Sequence, residues 1–114
     1  MKERECIFCR IIKKEIPVRL INETDNFIAM LDANPKAEGH TLIIPKFHYA
    51  TLLDIPSNLA GEMLDLIKKL SENPKLSGSF NLLVNNSPAA GQAIMHAHIH
   101  FIPRKEGDGS RAIA

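Results

Sequence analysis

Between residues 57 and 72 apolar side chains fall at Leu59, Met63, Leu66, Ile67 and Leu70, the spacing that lays one stripe along a helix. Lys68, Lys69, Asn73-Pro74 and Lys75 mark its far end. No other stretch sustains that period, so the chain has one long helix and must build the rest of its core from something else. Short apolar runs bounded by turn residues supply it: strands are expected at 18–22, 27–31, 40–45, 80–84 and 94–102, the last ending before Pro103. Ile7, Phe8, Ile11 and Ile12 add a short N-terminal helix within 6–14, stopped by Pro17. Strands arriving in runs, interrupted by one helix, predict an α+β fold with a mostly antiparallel five-stranded sheet. The helix covers one face, which leaves the other for a ligand or a second copy.

At 114 residues and 45 % apolar the chain suits a single domain over 1–114, with 104–114 expected as a mobile tail. Fourteen Lys and Arg balance 13 Asp and Glu, which gives no field to draw in nucleic acid or an anionic membrane. No apolar run approaches the roughly 20 residues of a membrane span, and charge studs the N-terminus where a signal peptide needs an apolar core. A cytoplasmic location is therefore expected. The two cysteines, Cys6 and Cys9, have the spacing of metal ligands or a redox pair; with only five residues before Cys6, half a zinc site is the better reading.

The stretch HAHIHFI, residues 96–102, puts three of five histidines at alternating positions. On a strand His96, His98, His100 and Ile102 would share one face and Ala97, Ile99 and Phe101 the core face, with neighbouring imidazoles about 6.6 Å apart from two rises of about 3.3 Å. One histidine on a strand is most often a hydrogen-bonded bystander. Three in register suit nucleophilic and acid/base chemistry near neutrality, or a metal clamp. The preceding Asn85-Asn86-Ser87-Pro88-Ala89-Ala90-Gly91-Gln92 could be a plain turn, or could offer N–H and amide donors to phosphate.

Asn85 through Gly91-Gln92 into the histidine row resembles the signature of the histidine-triad (HIT) superfamily, in its small nucleotide-binding branch. The runs 7–17, 27–32 and 39–48 are similar as well, in order and spacing. The resemblance implies a homodimer that cleaves purine nucleoside phosphoramidates at the α-phosphate, through a nucleotidyl intermediate on His98. It implies that His100 binds phosphate and moves the leaving-group proton, that Gln92 and Asn85 contact phosphate and ribose, and that His40 orients the nucleophile's ring. Asp32 would hold the ribose, and Phe8, Ile11, Met30 and Ala33 would wall the base, although ordinary core packing explains Ile11 and Met30 equally. Relatives with this cysteine pair imply a structural zinc on Cys6, Cys9, His48 and His96. Ala93 departs from the hydroxyl residue common after Gly-Gln, which bears on leaving-group preference. The alternatives are a dinucleoside polyphosphate hydrolase or phosphorylase, a non-catalytic AMP sensor or scaffold, and a metal hydrolase using the three histidines.

Overall fold

The computed structural model describes residues 5–73 and 78–108. Helix α1 (Ile7–Ile12) is followed by β1 (Leu20–Glu23), β2 (Phe27–Leu31), β3 (Thr41–Pro45), helix α2 (Ala60–Ser71), β4 (Phe80–Leu83) and β5 (Ile99–Pro103). The strands form one antiparallel sheet in the order β1-β2-β3-β5-β4. The α+β class and the five strands are as the sequence predicts.

Alternation along the strands sorts two cores. Phe27 and Ala29 of β2, Ile43 of β3, and Ile99 and Phe101 of β5 meet Leu66, Ile67 and Leu70 of α2. Ile28, Met30, Leu42 and Ile44 point the other way and meet Phe8 and Ile11 of α1, with Cys6 and Cys9 in the same cluster. Being covered on both sides, β2 and β3 are continuous apolar runs without polar alternation. The second sheet face is therefore not left free: α1 closes part of it.

Glu62 in the first turn of α2 accepts from Thr24 Oγ1 (2.5 Å) and from Asn26 N and Nδ2 (both 2.7 Å), which pins the helix to the β1–β2 turn. Those bonds hold its carboxyl below the usual carboxylate range. The expected helix 57–72 is a 3-10 turn, Ser57–Leu59, running into α2. Strand β1 starts later than predicted and carries a bulge between Leu20 and Asn22.

The largest displacement is in the last strand. The ladder with β3 ends at the Ile43–Ile99 pair, so His96 and His98 precede β5 and only His100 lies on it. Upstream, Ala97 N–H donates to Tyr49 O (2.6 Å) in the loop after β3, which bends the segment out of the sheet. At the other end Pro103 is inside β5, facing Phe80 of the outer strand. His96 and Ile102 are buried, against the expectation of an open face. Of the expected tail, Arg104 is tied to Ser79 O and Asn81 Oδ1, and Lys105 and Asp108 close a turn; residues 109–114 lie outside those described.

Candidate active site and metal group

His98 and His100 sit side by side, ring centroids 5.3 Å apart, both partly accessible. His98 Nδ1 is 2.8 Å from the carbonyl oxygen of His96. A carbonyl only accepts, so Nδ1 carries the proton and Nε2 keeps its lone pair, the arrangement a nucleophile requires. Phe8 packs edge-on against both His96 (5.7 Å) and His98 (5.2 Å). It is thus part of the frame around these rings, deep in the α1 cluster.

His40, almost wholly buried, does not touch the His98 nitrogens. Its Nδ1 accepts the backbone N–H of Lys36 (2.9 Å), so its own proton is on Nε2, which donates to His100 Nδ1 (3.0 Å). His100 then presents Nε2–H as a donor. The expectation that His40 orients the nucleophile is corrected: a main-chain carbonyl orients His98, and His40 orients His100. Burial pushes the pKa of both His40 and His100 down; for His100 the neighbouring His98 and His40 add to this, and Asp32 opposes it in each.

Asp32 follows β2 and accepts from Asn34 N through Oδ1 (2.8 Å), while Oδ2 lies 3.4 Å from His40 Nε2 and 3.8 Å from His100 Nδ1. These three residues could encircle a cation. The Nε2 proton imposed on His40 by Lys36 makes them a hydrogen-bonded relay instead. His100, whose Nδ1 accepts from His40 and whose own proton is then on Nε2, offers no lone pair to a metal shared with His98, which speaks against the metal hydrolase reading.

Gln92 differs from expectation. Its Oε1 accepts from Ser87 N (2.7 Å) and its Nε2 donates to Ala50 O (2.7 Å) and Ile94 O (2.9 Å), so the buried carboxamide braces the loop before the histidines. Ser87 there has φ 77° and ψ 160°, a region that L residues avoid. Asn86 Oδ1 accepts from Leu52 N, whereas Asn85 is part-exposed and its carboxamide has no partner among the described residues. Ile11 and Met30 are buried in the α1 core, and Ala33 and Ala93 are exposed. The sequence offered no signal for Lys36 or for the carbonyls of His96 and Pro45, because their part is played by backbone atoms.

At the start of α1, Cys6 and Cys9 meet His48 and His96. Cys6 Sγ is 3.4 Å from His96 Nδ1, Cys9 Sγ is 3.5 Å from the same atom and 3.1 Å from His48 Nδ1, and the two Nδ1 atoms are 3.2 Å apart. Ligands of one tetrahedral zinc at the usual bond lengths stand about 3.6 Å apart for S···N and about 3.3 Å for N···N. His96 Nε2 donates to Pro45 O (2.8 Å), which leaves Nδ1 as a lone pair facing the sulfurs. Both sulfurs and both nitrogens thus converge as a possible metal-binding group.

The HIT domain family profile matches residues 13–107. Adenylylsulfatase HINT3 of Arabidopsis thaliana is 47 % identical over 109 residues, which cover 93 % of this chain and 55 % of that protein. Adenosine 5'-monophosphoramidase HNT1 of Saccharomyces cerevisiae is 46 % identical over 101 residues, covering 89 % of this chain and 63 % of that protein. The chain therefore spans less than two thirds of the length of either. A zinc-bound histidine triad family protein from Mycobacterium smegmatis superposes with a TM-score of 0.85 at 33 % identity, covering 95 % of this chain and 81 % of that one.

Proposed function

The chain belongs to the HIT domain family, and from that premise we propose that it is a hydrolase of purine nucleoside phosphoramidates acting through His98. The observation that carries this reading is the Nδ1–H of His98 held by the His96 carbonyl, which frees Nε2 beside a second ring that presents N–H. Nε2 attacks the α-phosphorus; an N–P bond forms as the P–N bond to the leaving amine breaks. The departing nitrogen takes a proton; in the second step water attacks the same phosphorus and loses a proton, the P–N bond to His98 Nε2 breaks, and the nucleoside monophosphate leaves. His100 is the ring assigned to pass the proton, and its Nε2–H donates to the phosphoryl oxygens. Asp32 and Asn85 are assigned to ribose and phosphate. Ile11, Met30, Phe8 and Ala33 are assigned to the base. Gln92 acts by bracing the loop. The relatives' printed names, a phosphoramidase and an adenylylsulfatase, support a substrate with adenylate at its cleaved end.

Zinc on Cys6, Cys9, His48 and His96 completes the reading, supported by the donor spacing and by the zinc-bound relative. Such an ion supplies a cross-link between α1 and the segments that follow β3 and precede β5. Two thiolates kept as ligands suit a reducing, cytoplasmic setting, and no helix among the described residues is long and apolar enough to cross a membrane. A homodimer is supported by half-exposed Leu82 and Leu83 on the outer strand β4 and by Leu64 on α2.

The test is turnover of an adenosine phosphoramidate such as AMP-lysine beside diadenosine tetraphosphate, with mass spectrometry of quenched protein. Wild type should release AMP from the former faster and show an adenylyl mass on the peptide holding His98. His98→Ala should lose both. Tight AMP binding with neither turnover nor adduct would overturn the enzyme reading in favour of a sensor.

A further inference from the structure

His100 is assigned to give a proton to the leaving nitrogen and to take one from water, yet the hydrogen bonds around it allow neither as they stand. Its Nδ1 accepts from His40 Nε2–H, so the proton of the neutral ring is on Nε2. Giving that proton away would leave an imidazolate, and a ring that keeps it has no lone pair for the proton of water. To work in both directions His100 needs a proton on Nδ1. That proton cannot meet His40: Lys36 N–H fixes His40 as an Nε2–H donor, and two N–H groups would face each other across 3.0 Å.

An acceptor lies beside both rings. Asp32 Oδ2 stands 3.4 Å from His40 Nε2 and 3.8 Å from His100 Nδ1, while Oδ1 is occupied by Asn34 N–H. An approach of about 1 Å turns the longer contact into a hydrogen bond, and one carboxylate oxygen accepts two donors. The side chains of Leu42 and Leu83, register partners of His100 on β3 and β4, are apolar and cannot take this part. Burial opposes a positive charge on both rings most strongly. His98 and His40 add to it at His100, Lys36 at both rings and Arg104 at His40, whereas Asp32 favours the charge on each.

We propose that Asp32 is a positioning residue for proton transfer: when His100 takes up a second proton, His40 Nε2–H turns from His100 to Asp32 Oδ2, and His100 Nδ1–H joins it there. The imidazolium so held gives its Nε2 proton to the leaving nitrogen as the P–N bond breaks, and becomes the neutral Nδ1–H form. Its Nε2 lone pair then takes the proton of the attacking water, which restores the imidazolium. The Nδ1 proton points at Asp32 throughout. The use of the Nε2 proton rests on the phosphoramidase reading; the exchange of hydrogen bonds among the three side chains does not.

Nitrogen NMR of the histidine-labelled whole chain tests the exchange without substrate, His100 being identified by its loss in His100→Gln. As pH falls below about 6.5, its Nδ1 should pass from a bare to a protonated nitrogen, and the scalar coupling across the bond from His40 should vanish with it. Asp32→Asn keeps the shape of the side chain and an oxygen for Asn34 N–H, and should move the change at least about one pH unit lower. In single turnovers at saturating substrate, Asp32→Asn should slow release of lysine from AMP-lysine about tenfold or more. Release of nitrophenolate from the nitrophenyl ester of AMP, which needs no proton, should slow about threefold or less. A coupling that persists into acid, a His100 titration unmoved in Asp32→Asn, or equal slowing of the two substrates would overturn the proposal. Where wild type turns over neither substrate, it is the phosphoramidase reading that falls, and the NMR titration alone decides on Asp32.

Discussion

Main-chain atoms decide the tautomers of three imidazoles: the Lys36 N–H for His40, the Pro45 carbonyl for His96 and the His96 carbonyl for His98. Residue types and spacing therefore singled out the rings that the fold brings together, but not which nitrogen of each is basic; that depends on main-chain atoms that the fold brings close. The lowered pKa values of His40 and His100 have a consequence for stability. Unfolded, both titrate near 6.5; folded, they stay neutral to lower pH, so below about 6.5 the unfolded chain binds more protons. Their stabilisation is full above that pH and is lost as pH falls toward their folded values. Unfolding free energies from urea titrations between pH 8 and pH 5 should therefore decline, by at most about 1.4 kcal/mol per pH unit for each ring, and His100→Gln should flatten the decline. Gln92→Ala removes three hydrogen bonds, two of them to the segments that flank the histidine loop, and should cost about 2–3 kcal/mol in urea unfolding. A Gln92 that instead contacted phosphate would raise KM without moving the urea midpoint.

Among the elements, the long helix was legible because Leu66, Ile67 and Leu70 repeat at helical spacing and all face the sheet. Strands β2 and β3 were legible as uninterrupted apolar runs. The His96–His100 alternation misled on where β5 begins, since a period of two shows that side chains can alternate but not that a neighbouring strand is there to pair. Strand β3 gives out first, and the donor at Ala97 is satisfied by Tyr49 instead. The second face, expected open, is partly closed by α1, a helix of only 6 residues whose reach a sequence pattern does not show. Its cap supplies a prediction: Lys14 takes φ 64° there, and Lys14→Gly relieves the left-handed strain and should raise stability by about 1 kcal/mol, or about 4 °C in calorimetric Tm.

For the molecule as a whole, two associations are testable. Sedimentation of the wild type should report a dimer, and Leu82→Lys on the outer strand should shift it to monomer, because a charge on a sheet edge opposes pairing. Chelation should lower Tm by at least about 10 °C if zinc joins α1 to the histidine loop, and Cys9→Ser should match the chelated wild type with metal content near zero. The spacing of Cys6 and Cys9 made half of this group legible; His48 and His96, reached only through the fold, came from the family resemblance. The distance along the chain within that group also sets an order of events during synthesis. Cys6 and Cys9 stand 90 and 87 residues before the imidazole they finally face. At about 5–20 residues per second, a ribosome leaves the two thiols waiting roughly 5–20 s for His96. An oxidant present during that interval meets a pair of sulfurs that the finished protein keeps buried, so the newborn chain is vulnerable where the mature one is protected.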